Sequence, residues 1–570
     1  MKRFRRLLIA ALIGLVLYWW FVPSGGPQVQ PGSILMMNVE GRYVEASEAP
    51  ILARMLGEGR RPFAGLLSNL RMAERDDRLG AVVLRIRDLD IGWGKAQELR
   101  EAISALEAAG RKTVAYLELA AIGANLEYYV AAAADEVVLS PAARVPVIGL
   151  AAEYLFLGGL WESMGVDLEV ERIGRYKTFA DTFARRSMSE AHREMAESLL
   201  DSIDAQFVGG IAESRNLSED FVRRAIEMAA MTPDEMRALG LIDGTRFEDE
   251  IVADLGGGPV VKGSDYAAID PSNVGFDPVA RFALVYGSGA VVTGRGSSSR
   301  TGEPVLASET VSQALTDAAE DPEIRAILFR IDSPGGSALA SDVVWRATQT
   351  ARKNGKPLIV SFSDVAASGG YYVATGADAI VASAGTITGS IGVVVLRPVI
   401  GRLLEKFDIG FESLTRGAHA DLALSTEPLS EGSRERLRLE VTSIYDLFVE
   451  RVAAGRSLAA ERVNEIGRGR VWTGAQALEV GLVDELGGLR AASRRAKVAA
   501  GIDPDADVAL VPYPRPQNLA EQLNSALHRV AASAAPTLPL PRLVRTAAQW
   551  LTLAPIDAPA LLPPVVLDIH

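Results

Sequence analysis

The chain has 570 residues, 48% of them hydrophobic, and a formal net charge of −13. This length predicts two or more domains, and an acidic chain with no basic stripe beyond its first six residues is a poor partner for nucleic acid. The absence of cysteine excludes disulfides, thiolate metal sites and cysteine nucleophiles. The four histidines are scattered without the spacing of metal ligands, so no metal site is predicted.

The N-terminus predicts a membrane anchor. Four cations precede an uncharged run over residues 7–22 that ends in aromatic residues. As a helix this run spans about 24 Å, slightly less than the ~30 Å hydrocarbon core, and the cations place the N-terminus in the cytoplasm. A cleaved signal peptide is the alternative, but no small-residue cleavage site follows closely. We expect an uncleaved anchor over 1–24, a linker over 25–33, and a body in the periplasm on the bacterial inner membrane.

After the linker, strand-like apolar runs alternate with helical patterns, which indicates a βαβ architecture. Ala81–Ile86 is continuously apolar around one arginine, as in a strand covered on both faces. In chain order the predicted strands are Ile34–Val39, Ala81–Ile86, Thr113–Leu117 and Glu136–Leu139, and the predicted helices cover about 46–76, 94–109 and 125–133.

The same order of elements returns in the second half of the chain. Ala326–Ile331 matches Ala81–Ile86 at an offset of 245 residues, and other landmarks keep nearly the same offset. This predicts a tandem duplication. The predicted units are one α/β repeat over 34–260, a joint over 261–280, a second repeat over 281–500 and a C-terminal tail over 501–570. Prolines interrupt the apolar end of the tail, so it is not predicted to span a membrane.

Three glycine-rich loops of the second repeat follow predicted strands: Asp332–Gly336, Ala367–Gly370 and Thr388–Gly392. Loops at the carboxyl ends of parallel strands meet at one rim, so these three can share a site. Ser368 begins a predicted helix, where free N–H groups face a developing oxyanion, so it is a candidate nucleophile. The alternative is that Ser368 only caps the helix and the glycines only permit tight packing.

A serine nucleophile needs a base, and His419 is the only histidine within 150 residues of Ser368. A lysine also serves if burial lowers its pKa. Asn125 occupies the place of Ser368 in the first repeat, whereas Lys177 corresponds to Ala420 in the second. Each half lacks what the other retains, which predicts one site assembled from Lys177 and Ser368. Taken alone, Lys177 would be interpreted as a surface lysine.

Four motifs in combination resemble the signal peptide peptidase A (protease IV) family, in its long, membrane-anchored, tandem-repeat form. They are Gly-Arg-Tyr-Lys (174–177), Ser-Pro-Gly-Gly (333–336), Ala-Ala-Ser-Gly-Gly-Tyr-Tyr (366–372) and Thr-Gly-Ser-Ile-Gly (388–392). The resemblance covers roughly 34–500 and the anchor. It implies a tandem α/β fold of the crotonase/Clp-protease type, and a homotetramer with inward-facing active sites. It also implies peptide substrates, namely remnant signal peptides and other apolar peptides.

The resemblance also assigns roles to residues. Ser368 is expected to be the nucleophile and Lys177 the general base of an acyl-transfer mechanism that needs no metal or cofactor. The N–H groups of Gly369 and of Gly335 or Gly336 are the expected oxyanion donors, and Ser390 is expected to hydrogen-bond the lysine. Asp364 is a departure from the family pattern, because a small or apolar residue is expected four residues before the nucleophile. Asp364 either faces away from Lys177 or raises the pKa of that lysine, which would oppose the mechanism.

Two other hypotheses fit parts of the sequence. A crotonase-type enzyme acting on acyl thioesters would share the fold and the oxyanion loops, but it needs neither a Ser–Lys pair nor an anchor. No basic cluster suited to a nucleotide diphosphate is apparent. An inactive, membrane-anchored binding protein would also keep the fold, but it need not keep complementary halves of one dyad.

Overall fold

A computed structural model describes residues 29–45, 61–299, 302–515 and 560–561. The predicted anchor, residues 25–28 of the predicted linker and nearly all of the tail beyond 515 lie outside these ranges, as does the start of the helix predicted over 46–76. Among the described residues, no helix combines the length and the apolar character needed to cross a membrane.

The strands are numbered along the chain. They are β1 (Ser33–Val44), β2 (Arg61–Pro62), β3 (Leu79–Asp90), β4 (Lys112–Leu117), β5 (Glu136–Leu139), β6 (Asp167–Ile173), β7 (Gly244–Thr245), β8 (Val260–Lys262), β9 (Ala280–Ser288), β10 (Ala290–Val292), β11 (Val305–Ala307), β12 (Ile324–Ser333), β13 (Gly336–Ser337), β14 (Leu358–Ala367), β15 (Ala379–Ala382), β16 (Ile387–Gly389), β17 (Val393–Val399), β18 (Val471–Thr473), β19 (Glu485–Leu486), β20 (Val508–Tyr513) and β21 (Ala560–Leu561).

Helices connect and cover these strands. The α-helices are Phe63–Arg75, Trp93–Ala108, Asn125–Ala131, Gly158–Met164, Phe179–Ala184, Glu190–Arg215, Glu219–Met228, Pro233–Ala238, Glu248–Asp254, Gly263–Tyr266, Ser308–Glu320, Ala338–Lys353, Gly369–Ala374, Gly401–Lys406, Glu431–Arg456, Ala460–Ile466, Gly474–Glu479 and Leu489–Ala499. Two 3₁₀ helices cover Pro271–Val274 and Ala420–Ala423.

The first repeat is built on a parallel sheet in the order β2-β1-β3-β4-β5-β7, with β8 also paired to β1. Side chains of β3 alternate between two hydrophobic clusters: Val82 and Leu84 belong to one and Val83 to the other. Successive residues of a strand point to opposite faces, so this sheet is covered on both sides. That double cover explains why the sequence of β3 is continuously apolar rather than alternating.

The second repeat has a corresponding sheet in the order β18-β16-β14-β12-β9-β20, with β15 paired to β14 and β19. Here Ile327 and Phe329 enter one cluster and Leu328 the other, which repeats the double cover of the first sheet. The strand β20 lies within the segment predicted as a C-terminal tail and pairs in parallel with β9.

Equivalent side chains make equivalent bonds in the two halves. Tyr128 Oη donates to the carbonyl oxygen of Leu241 at 2.7 Å, and Tyr371 Oη donates to that of Leu482 at 2.8 Å. A bond between buried groups at matching positions is expected when one ancestral repeat has been duplicated. The prediction of an α/β fold with two homologous repeats is confirmed.

A third sheet joins the repeats, in the order β11-β10-β13-β21-β17-β6. Its strand β6 comes from the first repeat and pairs antiparallel with β17 of the second, from Val393 opposite Ile173 to Val399 opposite Asp167. Because of this pairing, the residues that follow β6 in the first repeat lie beside the loop of the second repeat that precedes β17.

Candidate active site

Ser368 occupies the sharp turn between β14 and the helix Gly369–Ala374. Its backbone has φ 57° and ψ −117°, a conformation that costs a non-glycine residue about 1–3 kcal/mol and is characteristic of functional sites. The turn is held because Ser368 N–H donates to the carbonyl oxygen of Gly389 at 2.8 Å. A Cβ at Gly370 would lie 2.5 Å from the carbonyl oxygen of Ser333, so glycine is required where the turn meets the neighbouring strand.

Lys177 reaches the same place from the first repeat. It follows β6 and is enclosed by the backbone of residues 468–470 of the second repeat, since Tyr176 N–H donates to the Arg468 carbonyl at 2.8 Å. A Cβ at Gly469 would lie 2.3 Å from Lys177 N, and Gly469 N–H donates to the Ile391 carbonyl at 2.6 Å. The backbone of Gly469 therefore lies between the lysine and the loop that leads into β17.

The side chains of Lys177, Ser368 and Ser390 converge, and all three residues are fully buried. Lys177 Nζ lies 2.7 Å from Ser368 Oγ, 2.9 Å from Ser390 Oγ and 2.9 Å from the Ser390 carbonyl oxygen. Burial lowers the pKa of Lys177 well below its ordinary value. A neutral amine has two N–H donors and one lone pair, so it can donate to Ser390 and still accept a proton from Ser368.

The predicted oxyanion donors lie at the adjoining loop, residues 332–336, called the oxyanion loop below. A Cβ built on Gly369 would be 3.1 Å from Gly336 N and 3.2 Å from Gly335 Cα, so the turn at Ser368 packs directly on this loop. Gly335 N–H donates to Ser333 Oγ at 3.2 Å. That bond engages one of the three predicted amides, and the neighbouring amides of Gly336 and Gly369 remain the candidate oxyanion donors.

A backbone groove runs beside these amides. The strand β21, from the distant C-terminal region, lies between β13 and β17 and pairs antiparallel with both, with Leu561 opposite Gly336 and Ala560 opposite Val394. Hence the edges of β13 and β17 at this site can accept an extended polypeptide segment by main-chain hydrogen bonding.

The carboxylate of Asp364, the residue that departs from the family pattern, bonds to the first repeat at Gly92 and Lys95 and not to Lys177. Its Oδ2 lies 2.7 Å from Lys95 Nζ of the first repeat, and it accepts hydrogen bonds from Gly92 N and Lys95 N. The only shift in the pKa of Lys177 comes from burial. Of the two interpretations of Asp364, the structure selects the one in which it faces away from the dyad.

His419, the alternative base, lies elsewhere. Its Nδ1 is 3.2 Å from Ser433 Oγ, while the Ser368 hydroxyl is bonded to Lys177. Two other features of the site were missed from the sequence: the backbone of residues 468–470 and the side chain of Lys95. Glycines alternating with arginines over residues 467–470 were a signal of tight packing there, whereas a lysine near the start of a helix carries no signal of burial.

Both repeats are similar in sequence to known peptidases. The profile of peptidase family S49 matches residues 105–258 and 350–503, one match in each repeat. The chloroplastic serine protease SPPA of Arabidopsis thaliana is 33% identical over 500 residues, covering 86% of this chain and 72% of that protein. Protease 4 of Haemophilus influenzae is 29% identical over 463 residues, covering 75% and 71%. Among solved structures, ClpP1 of Listeria monocytogenes matches 37% of this chain and 93% of its own, with 12% identity and a TM-score of 0.22.

Proposed function

The chain belongs to peptidase family S49 and is a serine peptidase, and on this basis we propose that it cleaves peptides with a Ser–Lys dyad formed by Ser368 and Lys177. The resemblance to signal peptide peptidase A drawn from its motifs is confirmed. Membership of a peptidase family favours this function over the acyl-thioester enzyme and the inactive binding protein considered from the sequence.

The observation that carries the dyad is the 2.7 Å contact between Lys177 Nζ and Ser368 Oγ in a fully buried site. Burial favours the neutral amine, which is the form that acts as a base. Lys177 takes the Ser368 proton as Oγ attacks the peptide carbonyl. The amides of Gly336 and Gly369 stabilise the oxyanion.

The second half of the reaction uses the same residues. Lys177, now protonated, gives its proton to the leaving amine as the tetrahedral intermediate collapses to the acyl-enzyme. It then takes a proton from the water that attacks the ester, and it returns that proton to Ser368 Oγ as the ester bond breaks. Throughout, Ser390 holds Nζ by accepting hydrogen bonds through its hydroxyl and its carbonyl oxygen, so the lone pair of the neutral amine and the third N–H of the ammonium are each directed at Ser368.

The groove between β13 and β17 supports extended peptides as substrates, and the family resemblance supplies the side-chain preference. A peptide bound there is extended and held through its main chain, as Ala560–Leu561 is held in this structure. We expect apolar peptides with small residues near the cut, remnant signal peptides among them. The accompanying predictions are a homotetramer and a single-pass anchor that keeps the peptidase body on the periplasmic side of the inner membrane.

The test is hydrolysis of an extended apolar peptide by the full chain in detergent, compared with Ser368→Ala and Lys177→Ala. Both variants are expected to lose activity while keeping the circular dichroism spectrum and assembly state of the parent. If Lys177→Ala remains active while Ser368→Ala does not, Ser368 has a different base and the dyad is wrong. If Ser368→Ala remains active, the nucleophile is wrong.

A further inference from the structure

A cluster of charged side chains lies where the two repeats meet, close to the dyad but not part of it. Four of its members are at most 3% exposed, and the other two, Asp332 and Asp364, are partly buried. This inter-repeat ion cluster consists of Glu45, Lys95, Glu98, Arg330, Asp332 and Asp364.

Lys95 is the centre of one half of the cluster. Its Nζ lies 2.6 Å from Asp332 Oδ2, 2.7 Å from Asp364 Oδ2 and 3.1 Å from Glu45 Oε1. Three carboxylates thus match the three N–H donors of one ammonium. These contacts hold the pKa of Lys95 well above its ordinary value, although burial opposes the shift.

The two aspartates belong to the segments that form the active site. Asp332 is the first residue of the oxyanion loop, and its Oδ1 accepts from Val365 N at 3.2 Å. Asp364 lies on β14, four residues before Ser368. A single cation of the first repeat therefore ties the start of the oxyanion loop to the strand that presents the nucleophile.

The helix that carries Lys95 is fixed against the second repeat. The carboxylate of Asp364 accepts from Gly92 N at 3.0 Å and from Lys95 N at 2.8 Å, so it caps the helix Trp93–Ala108 across the repeat boundary. A Cβ at Gly94 would lie 2.5 Å from the Ser363 carbonyl oxygen. With the helix this close to β14, the ammonium has little freedom to move away from the aspartates.

We propose that Lys95 is a positioning residue of this peptidase, whose ammonium holds Asp332 and Asp364 together and so fixes the oxyanion loop against the strand that carries Ser368. This role rests on the proposed function, because it matters only if Ser368 is the nucleophile and Gly336 and Gly369 bind the oxyanion. The first repeat then supplies two lysines to one site: Lys177 as base and Lys95 as the tie between loop and strand.

The balance of charges in the cluster predicts how activity depends on pH when Lys95 is absent. Within the cluster, Arg330 is bonded to Glu45 at 3.0 Å and to Glu98 at 2.5 Å. Lys95 therefore supplies the positive charge for Asp332. The charged groups around Asp332 are Lys95 on the helix Trp93–Ala108, Asp364 on β14 and Glu45, which directly follows β1. Burial raises the pKa of Asp332 even with Lys95 in place.

Without Lys95, the two aspartates face each other with no cation between them. At low pH one carboxyl is protonated and can hydrogen-bond the other, which keeps the loop near the strand. As pH rises both ionise and repel, and the oxyanion loop moves away from Gly369. A variant without Lys95 should therefore lose activity on the alkaline side, where the parent gains activity as Lys177 is deprotonated.

The experiment compares the full-length parent with Lys95→Met, using peptide hydrolysis from mildly acidic to alkaline pH. We expect kcat to fall about 10- to 100-fold at the alkaline end, as for other small displacements of a reacting group, with KM changed less than about twofold. Lys95→Gln, which keeps N–H donors but has no charge, is the second variant and is expected to show the same alkaline loss.

Two further variants separate positioning from general stability. Lys95→Met/Asp332→Asn removes the repulsion and should restore the alkaline activity of Lys95→Met. Arg100→Met is the matched control, because Arg100 lies on the same helix, is half-buried, and donates within the first repeat to the carbonyl oxygens of Tyr129 and Gly210 and to Ser214. We expect it to lower the melting temperature and leave kcat and the pH profile unchanged.

Parent-like kcat and pH profile in both Lys95 variants would overturn the positioning role. So would a kcat loss that is the same at all pH values and is matched by Arg100→Met, since that pattern reports stability alone. Ser368→Ala is assayed in parallel: residual activity in that variant contradicts the proposed function itself, whereas an inactive Ser368→Ala with a parent-like Lys95→Met contradicts only the role of Lys95.

Discussion

Lys177 and Ser368 are separated by 191 positions in the chain and lie in different repeats, yet Nζ of the lysine is 2.7 Å from Oγ of the serine. The contact depends on β6 of the first repeat pairing with β17 of the second. The arrangement explains why each repeat can lack one member of the pair: a single site, completed across the boundary, removes the need for a second one.

The first prediction concerns the pH dependence of activity. Burial lowers the pKa of Lys177, so the fraction of neutral base, and with it kcat/KM for a peptide amide, should rise with pH through that lowered value and then level off. His419→Ala should leave the profile unchanged, because His419 bonds to Ser433 and not to the dyad. A flat profile from mildly acidic to alkaline pH would exclude a lysine base.

The second prediction concerns stability. A lysine whose pKa is lowered by folding binds fewer protons in the native state than in the unfolded state, so it makes the free energy of unfolding rise with pH between the folded value and about 10.4. The slope from this one group is at most about 1.4 kcal/mol per pH unit. Lys177→Met removes this pH dependence, and it also removes the free-energy cost of burying an amine.

Urea unfolding at several pH values measures this effect. Lys177→Met should be at least as stable as the parent at neutral pH, and its advantage should shrink as pH rises towards the ordinary lysine value. A parent and a variant whose stabilities run parallel over that range would show that Lys177 is protonated in the folded state. Activity should be lost in the variant at every pH.

The third prediction uses the close approach of Gly469 to the lysine. Gly469 has φ 80°, and a Cβ there would lie 2.3 Å from Lys177 N, so Gly469→Ala should displace Lys177 and lower kcat by about 100-fold. Gly355→Ala is the matched control, since Gly355 has the same φ of 80° and open space around it. It should carry only the conformational cost of about 1–3 kcal/mol. Equal activities in the two variants would contradict the prediction.

The parts of the molecule that local pattern controls could be predicted from the sequence. The strand predicted over Glu136–Leu139 has those bounds in the structure, and the strand predicted over Thr113–Leu117 begins one residue earlier. Both are apolar runs within a sheet covered on two faces, where burial alone sets the pattern. The candidate pair, Lys177 and Ser368, could be identified because the duplication gives each residue an equivalent position in the other repeat. Asn125 stands at the position equivalent to Ser368, and Ala420 at the position equivalent to Lys177.

Long-range features could not be predicted in the same way. The antiparallel pairing of β6 with β17 joins residues more than 200 positions apart, and neither strand encodes its partner locally. Lys95 is a similar case, because its burial depends on three carboxylates from distant segments. A lysine in the first turn of a helix is ordinarily solvated, so only the folded arrangement distinguishes it from a surface residue.

The last prediction concerns the C-terminal segment that lies in the groove. Ala560–Leu561 pairs with Gly336–Ser337 of the oxyanion loop region and with Val394, the two edges where an extended substrate is proposed to bind. A peptide substrate that binds at these two edges must displace this segment. Deleting residues 516–570 should lower KM for an extended peptide and leave kcat unchanged, because the dyad and the oxyanion loop lie outside the deleted part.

A synthetic peptide with the sequence of residues 556–566 sharpens the test. It should inhibit the shortened protein competitively, and it should inhibit the parent less, because the parent already carries that segment. A single-residue ester, which needs no second strand edge, serves as control and should be hydrolysed with similar KM by both proteins. If the deletion leaves KM for the extended peptide unchanged, substrates do not compete with the C-terminal segment, and the groove between β13 and β17 is not where they bind.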